Sequence, residues 1–402
     1  MSARLETAAE ILKLERLLSL EHGTLEFLGE VAPSEIRTLR EKATDSLFDT
    51  GAKSMARLAA AAAITPSALV ATIAEKSFGP LMCARAAAAV DPAKAIDVAK
   101  RLSPDFLADA TIELDPRRVA RIIAGVPTEL VEPVARELGR RKEHVTMGRF
   151  LAFVPDHSIV AAMTALSDEA MLRTAFVLEH KEALDHAVGL LPPERLPGVL
   201  RIASEQGLWA EALDLLDHLS HERRGPIADV VGSMEEDVVA ELVRAVSAAD
   251  LWEALLPVVS VMSEQGRLQI AGRPAFHEPR ILEEIVGSAA RDGRLWPDLL
   301  PLVVALPGVV RAKAADLIAR QDPHAVVDLI TAAHGHALWP LLLPVLTELD
   351  EESRAHMVGV IDAADPDLVS AVAHLREDPD LTDLLPLVPT DIMSAVDRAV
   401  AR

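Results

Sequence analysis

Residues 295–303 read LWPDLLPLV, and the same phrase recurs at 208–216 (LWAEALDLL), 251–259 (LWEALLPVV), 338–346 (LWPLLLPVL) and 380–388 (DLTDLLPLV). The chain's four tryptophans, Trp209, Trp252, Trp296 and Trp339, are therefore spaced 43, 44 and 43 residues apart, and Leu381 takes the tryptophan place 42 residues later. A second marker keeps step 27 residues after each tryptophan: Glu236, Pro279, Pro323 and Pro366 each open an apolar-periodic segment. Counted backwards, the same rule meets Leu166 and Pro193, a weaker echo upstream. Each period predicts three helices: helix A from the Leu-Trp pair, a shorter helix B (around 227–231, 312–319 and 355–361), and helix C from the second marker. A unit of this size cannot bury its apolar faces alone, and stacking its neighbours builds a continuous core.

The period is similar to that of HEAT and armadillo-type units, which implies an all-α chain built as an α-solenoid. Three-helix repeats of about 43 residues would start near 208, 251, 295, 338 and 380. Composition agrees, because alanine and leucine dominate, runs such as VVAELVRAV carry apolar residues at i, i+3 and i+4, and no segment alternates with period two. The 26 prolines also agree. Thr65-Pro66, Asp91-Pro92, Ser103-Pro104, Asp115-Pro116, Asp322-Pro323, Asp365-Pro366 and Asp378-Pro379 each pair a capping side chain with proline at the first helical position. The missing N–H costs nothing there. Pro257, Pro301 and Pro344, five residues after a tryptophan, lie deeper and are expected to kink helix A. The tryptophan itself has two readings: a buried wedge between units, or a rung in an exposed ladder that holds extended peptide.

Between about 90 and 200 the punctuation tightens, with Pro104, Pro116 and Pro127 only 12 and 11 residues apart. The segment LSPDFLADATIELDPRRVARIIAGVPTELVEPVAREL resembles the cytosolic N-terminal domain of MgtE-type magnesium transporters. The likeness is carried by Leu102, Pro104, Leu114, Asp115-Pro116, Val119-Ala120, Ile122-Ile123 and Val126-Pro127, with an echo over Leu191 to Leu196. The resemblance implies a right-handed superhelix of short helices used as a contact surface. The family's paired CBS modules and transmembrane domain have no counterpart in this sequence, so gating and magnesium sensing do not carry over. Residues 1–28 read as one long amphipathic helix, apolar at Leu5, Ala8, Ala9, Leu12, Leu17 and Leu20, that caps the array or pairs with a partner helix. The expected organisation is a helical cap over 1–90, the short-helix superhelix over 91–203, and the tryptophan-marked repeats over 204–402.

With 402 residues and a formal charge of −22, the chain repels phosphate backbones, and its 12 aromatics leave few stacking platforms. Nucleic acid is therefore not an expected partner. A single cysteine, Cys83, excludes a disulfide scaffold and cysteine-based metal centres and fits a reducing cytoplasm. Cys83 is expected to be a small buried hydrophobe. The N-terminus lacks a signal-peptide core. The uncharged stretch 58–74 is alanine-rich and split by Thr65-Pro66-Ser67, which predicts two short helices and no membrane span.

Motifs for nucleotide, phosphate, hydrolase and zincin chemistry are absent, so no catalytic residue, enzyme activity or cofactor is expected. One constellation could donate metal ligands. Glu179, His180, Glu182 and His186 are followed by Asp214, Asp217, His218 and His221; the pairs Glu182–His186, Asp214–His218 and Asp217–His221 would each share a helix face. The same spacing serves equally as a helix-surface stabiliser. Charge is uneven: residues 321–402 hold 15 acids and 4 bases, whereas 117–149 hold eight bases against four acids. These ends are solvated faces, or they are contacts: Arg140, Arg141 and Lys142 for an acidic partner, and 321–402 for a basic one. The functional expectation is a non-catalytic cytoplasmic scaffold or adaptor that binds a protein. The alternatives are a carrier or sensor of a small apolar or metal ligand between helices, and peripheral membrane attachment through the N-terminal helix.

Overall fold

The computed structural model describes residues 2–49, 51–363, 381 and 384–401. Among them every regular element is helical and no strand occurs, and no helix is long and apolar enough to cross a membrane. The chain divides into two compact units, Met1–Ala203 and Ser204–Arg402.

In Ser204–Arg402 all four tryptophans stand at the first residue of a helix: Trp209–Asp217, Trp252–Ser260, Trp296–Ala305 and Trp339–Leu346. The second marker also opens helices, at Glu236–Ala249, Pro279–Arg291 and Pro323–Gly335. Its fourth occurrence, Pro366, lies outside the described residues, as do the Asp365-Pro366 and Asp378-Pro379 caps. The middle helices correct the expected lengths. His221–Ser233, Gly308–Ala319 and Glu351–Asp362 have 13, 12 and 12 residues, against 9, 10 and 8 for the tryptophan-led helices of the same periods. In the Trp252 period the middle helix, Glu264–Ala271, is the shorter one as expected. The helices led by Trp252, Trp296 and Trp339 each carry an interior proline that removes a backbone donor, which leaves the carbonyls of Glu253, Pro297 and Pro340 without an i+4 partner and weakens the helix's own ladder.

Each tryptophan-led helix packs on the tryptophan-led helix that follows it. The indoles are buried, with exposures of 2%, 0%, 0% and 4% from Trp209 to Trp339. Leu381, in the fifth tryptophan place, is buried too. The middle helices His221–Ser233 and Glu264–Ala271 approach closely through glycine: a Cβ on Gly232 would sit 3.2 Å from the Gly266 carbonyl oxygen. The turns into the Trp252 and Trp339 helices are left-handed where the preceding helix stops. Asp250 and Ala337 have φ of 50° and 54°, and the next amides, of Leu251 and Leu338, donate back to Val246 and Ala333 at 2.9 and 2.8 Å. This is the geometry that closes a helix C-terminus and favours glycine.

The Met1–Ala203 unit combines the two longest helices described, Ser2–Leu17 and Pro33–Asp49, with helices of 7 to 13 residues. The caps follow the prolines: Asp91, Ser103 and Asp115 each accept a backbone N–H from the helix they open. At Thr65-Pro66 the cap residue is Pro66 itself and the helix begins at Ser67. The uncharged stretch is two helices, Ala52–Ile64 and Ser67–Ile73. The long N-terminal helix stops at Leu17, well before the expected end at Leu28. Of the expected apolar positions Ala9 is buried and Leu5, Leu12 and Leu17 are half-buried, whereas Ala8 and Leu20 are exposed; Thr7, Glu10, Lys13 and Glu15 are buried beside Ile11 and Leu14. The apolar periodicity placed only part of the face because the helix also sets charged residues in the interior.

Two stability changes follow from the packing. Trp296→Ala is expected to lower the unfolding free energy by about 3–5 kcal/mol, read by denaturant titration. Ala337→Gly is expected to raise it by about 1 kcal/mol, since glycine accepts the left-handed turn without strain.

Candidate functional site

The residues that recur with the period turn out to be internal. Trp252 donates its indole N–H to Glu284 at 3.2 Å, while the indole nitrogens of Trp209, Trp296 and Trp339 are buried without a hydrogen-bond partner. A third recurring residue escaped the sequence reading. Arg224, Arg267 and Arg311 stand at one fixed offset from Trp209, Trp252 and Trp296, on the middle helices, and fold back onto the end of the tryptophan-led helix. Arg224 donates to the carbonyls of Asp217 and Leu219, Arg267 to those of Ser260 and Met262, and Arg311 to that of Val304. These are the carbonyls a helix end leaves unsatisfied. The signal was the spacing of the arginines, which matches that of the tryptophans but reads as ordinary surface charge when each is taken alone. Arg354, next in the series, lies 3.9 Å from Asp391 instead.

The histidine constellation is dispersed. The Trp209–Asp217 helix ends at Asp217, His218 caps it, and His221 begins the next helix. Neither Asp214–His218 nor Asp217–His221 is therefore an i, i+4 pair within one helix. Asp214 is buried, Asp217 exposed and His218 half-buried. Likewise Glu182 precedes the Ala183–Leu190 helix and bonds His180 at 3.1 Å, while His186 meets Asp156 at 2.8 Å. Among the described residues no group of three or more His, Cys, Asp or Glu is placed to hold a metal ion. Cys83 is half-buried, and burial pushes its thiol up from the ordinary value. A cavity lined by Phe276, Leu282, Ile285 and Leu302 has a volume of about 10 Å³, at the lower limit for one water molecule.

The basic stretch 117–149 commits most of its charge within its own unit. Arg117 and Arg118 share Asp115 and Asp45, and Arg118 also reaches Asp49. Arg136 pairs with Glu132. Arg140 and Arg141 both hold Glu137, whose carboxyl their hydrogen bonds keep down at about 2. Arg141 further pairs with Asp105 and Asp109. Arg140 remains largely exposed, and Lys142 is exposed with a φ of 59°.

The most unusual chemistry of the unit was not legible from the chain: a buried ionic network that fastens the N-terminal helix. Glu10, 1% exposed, accepts from Lys13 at 2.8 Å, from Arg37 at 3.2 Å and from Arg40 at 3.2 Å. Arg40 also donates to Glu179 at 2.7 Å, and Lys13 donates to the Leu178 carbonyl at 3.2 Å. Arg16 closes the helix against Glu143 with two bonds of 3.0 Å. Burial raises the Glu10 and Glu179 carboxyls, but the surrounding cations outweigh it and hold both below their ordinary value. Burial acts on Lys13 in the other sense and pulls its ammonium down despite Glu10. The two partners thus differ in role: Glu10 gains from three cations, whereas Lys13 bears a desolvation cost with one close carboxylate.

No protein-family model matches the chain, and no curated protein is significantly similar to it. The likeness to the MgtE-type domain rests on the quoted residues alone.

Glu10→Gln is expected to destabilise the protein by about 3–5 kcal/mol, because it leaves buried cations uncompensated. Lys13→Met should cost far less, since Arg37 and Arg40 still hold Glu10. Glu10 and Glu179 have depressed values, so their stabilisation is complete above the unfolded carboxylate range near 4.3 and is lost as pH falls through the folded values. Thermal unfolding scanned from pH 7 to 3 should show this loss, and Glu10→Gln should flatten the profile.

Proposed function

We propose that the chain is a non-catalytic helical-repeat scaffold that binds a protein partner, with Ser204–Arg402 forming a solenoid of three-helix units. The observation that supports this reading is the placement of the recurring side chains. The tryptophans and the folded-back arginines recur every 43 or 44 residues and are spent on helix–helix packing and helix ends. What a chain of this kind offers to other molecules is the set of outward positions between those markers, which differ from one period to the next. Arrays of stacked helices present such positions as long continuous surfaces suited to proteins.

Charge suggests how the partner is met. The region 321–402 carries an excess of acids, and Arg140 and Lys142 are exposed cations within the basic stretch. A basic surface is the fitting partner for the first, and an acidic one for the second.

Affinity capture of the full chain with cross-linking mass spectrometry, at low and at high salt, tests the proposal. The expected result is one recurrent protein whose cross-links map to 321–402 or to the Arg140–Lys142 corner and fade at high salt. Lys142→Glu should leave the unfolding curve nearly unchanged and weaken capture if that corner is the contact. A chain that stays partner-free under both conditions overturns the reading.

A further inference from the structure

The row of middle helices in Ser204–Arg402 is not uniform. His221–Ser233 packs on Glu264–Ala271, and Gly308–Ala319 packs on Glu351–Asp362. Among the described residues no comparable packing joins Glu264–Ala271 to Gly308–Ala319. Three positions, each at a fixed offset from the tryptophans, distinguish this middle joint from the two beside it. At the first position, Asp229 accepts the Ser263 amide at 3.0 Å and Asp316 accepts the Asp350 amide at 2.9 Å, which ties one middle helix to the start of the next. The place between Asp229 and Asp316 is Gly272, which has no side chain to accept with. At the second, the place between Ser263 and Asp350 is Pro307, which has no N–H to donate. At the third, Gly225 and Ala312 are small, and a Cβ on Gly225 would already sit 2.5 Å from the Val261 carbonyl oxygen. Leu268 stands in that place at the middle joint, and it is 54% exposed.

The surroundings of the middle joint agree. Among the described residues no hydrogen bond or ion pair runs between 264–278 and 306–320. The joints beside it are bonded again by side chains: Arg273 reaches back to the Gly232 and Met234 carbonyls, both at 2.7 Å, and His356 meets the Gln321 carbonyl at 3.1 Å. The tryptophan spacing across the middle joint is the one of 44 residues, and the chain there adds a 3-10 turn, Pro274–His277. The cavity of about 10 Å³ lies at the same joint, between Phe276 and Ile285 on one side and Leu302, Leu306 and Ala314 on the other. The tryptophan-led helices nevertheless stay packed across it, Trp252–Ser260 on Trp296–Ala305. One layer of helices therefore holds at this joint while the layer of middle helices is untied.

We propose that the middle joint is a hinge. The helices up to Ala271 and those from Pro279 on turn as two bodies about the contact of Trp252–Ser260 with Trp296–Ala305, and the turn opens and closes the gap between Glu264–Ala271 and Gly308–Ala319. The inference rests on reading Ser204–Arg402 as stacked three-helix units. Pro279–Arg291 packs on Gly308–Ala319 and moves with it, which leaves 272–278 as the segment that absorbs the change. Hinges are made of a few residues at the ends of elements, as this segment is. Glu264–Ala271 also rests on Trp296–Ala305, so the motion is a rocking on that helix and not a separation. A partner that touches both bodies selects one angle from those the joint allows.

Pairs of spin labels on the full chain, read by pulsed dipolar spectroscopy, test the hinge. Glu222, Gln265, Val309 and Glu352 are exposed and hold one equivalent place on the four middle helices. They are changed to cysteine in adjacent pairs, in a Cys83→Ala background. The 265–309 pair should give a broad distance distribution, and 222–265 and 309–352 narrow ones. Narrow distributions for all three pairs overturn the hinge and leave the stacked units standing, whereas broad distributions for all three overturn the stacked units and the hinge with them. Leu268→Ala with Gly272→Asp and Pro307→Ser supplies the small residue, the acceptor and the donor, and should narrow the 265–309 distribution and raise Tm. The backbone accepts the serine, since Pro307 has φ −56° and ψ 143° against −60° and 159° at Ser263. An unchanged width in the folded triple variant overturns the assignment to these positions. Should that variant fail to fold, Asp229→Ala and Asp316→Ala decide: each should broaden its own pair, 222–265 or 309–352, and unchanged widths overturn the assignment.

Discussion

Burial of an indole at the first turn of a helix too short to stand alone is the constraint on which Ser204–Arg402 depends. Helices of 8 to 10 residues are below the length at which an isolated helix holds in water. An indole removes about 150–250 Å² from solvent, which at roughly 25 cal/mol per Å² is about 4–6 kcal/mol, enough to decide whether such a helix forms. The rest of the local design protects that burial. A left-handed residue at Asp250 or Ala337 ends the preceding helix and turns the chain, Leu251 or Leu338 follows, and the tryptophan enters the core at once. At the far end an arginine from the following helix satisfies carbonyls that the short helix cannot. The interior prolines become tolerable in this setting, because the helix is held by its neighbours more than by its own ladder.

Met1–Ala203 solves the same problem with different material. Among the described residues, the largest fully buried side chains are almost all in Ser204–Arg402; this unit contributes Ile36 and Leu178. Small alanines bury less area per residue, and the N-terminal helix compensates with fixed ionic geometry through Glu10, Lys13, Arg40 and Glu179. Buried ion pairs of this sort contribute little net stability compared with apolar packing, but removing one partner is strongly unfavourable, so they specify one docking position over others. That specification is sensitive to acid in a way that tryptophan burial is not.

The parts of the fold that were legible in the chain are those where one side chain repeats one task. Tryptophan spacing marked the start of four helices, and the second marker placed three more. The end of the Trp209–Asp217 helix was also legible in principle. Ser220, Ser263 and Asp350 keep a constant distance from Trp209, Trp252 and Trp339 and stand at the N-cap of the next helix, and that pattern would have separated Asp217 from His221. The ionic network could not be read. Its partners are separated by 30, 139 and 165 residues, and each charged residue on the N-terminal helix looks like ordinary surface when taken with its sequence neighbours. Periodicity therefore put Leu20 on the apolar face and gave no sign of Glu10, yet Leu20 is exposed and Glu10 is buried.

This difference bears on where function should be sought. A residue that recurs in every period is explained once its packing task is known, so the clearest sequence signal in the chain is the least informative about what the protein binds. Chemistry that packing does not explain is the better guide, and it lies where no period runs. Lys142 is such a case: it is exposed at a left-handed turn and makes no ion pair among the described residues, so the fold does not use its charge.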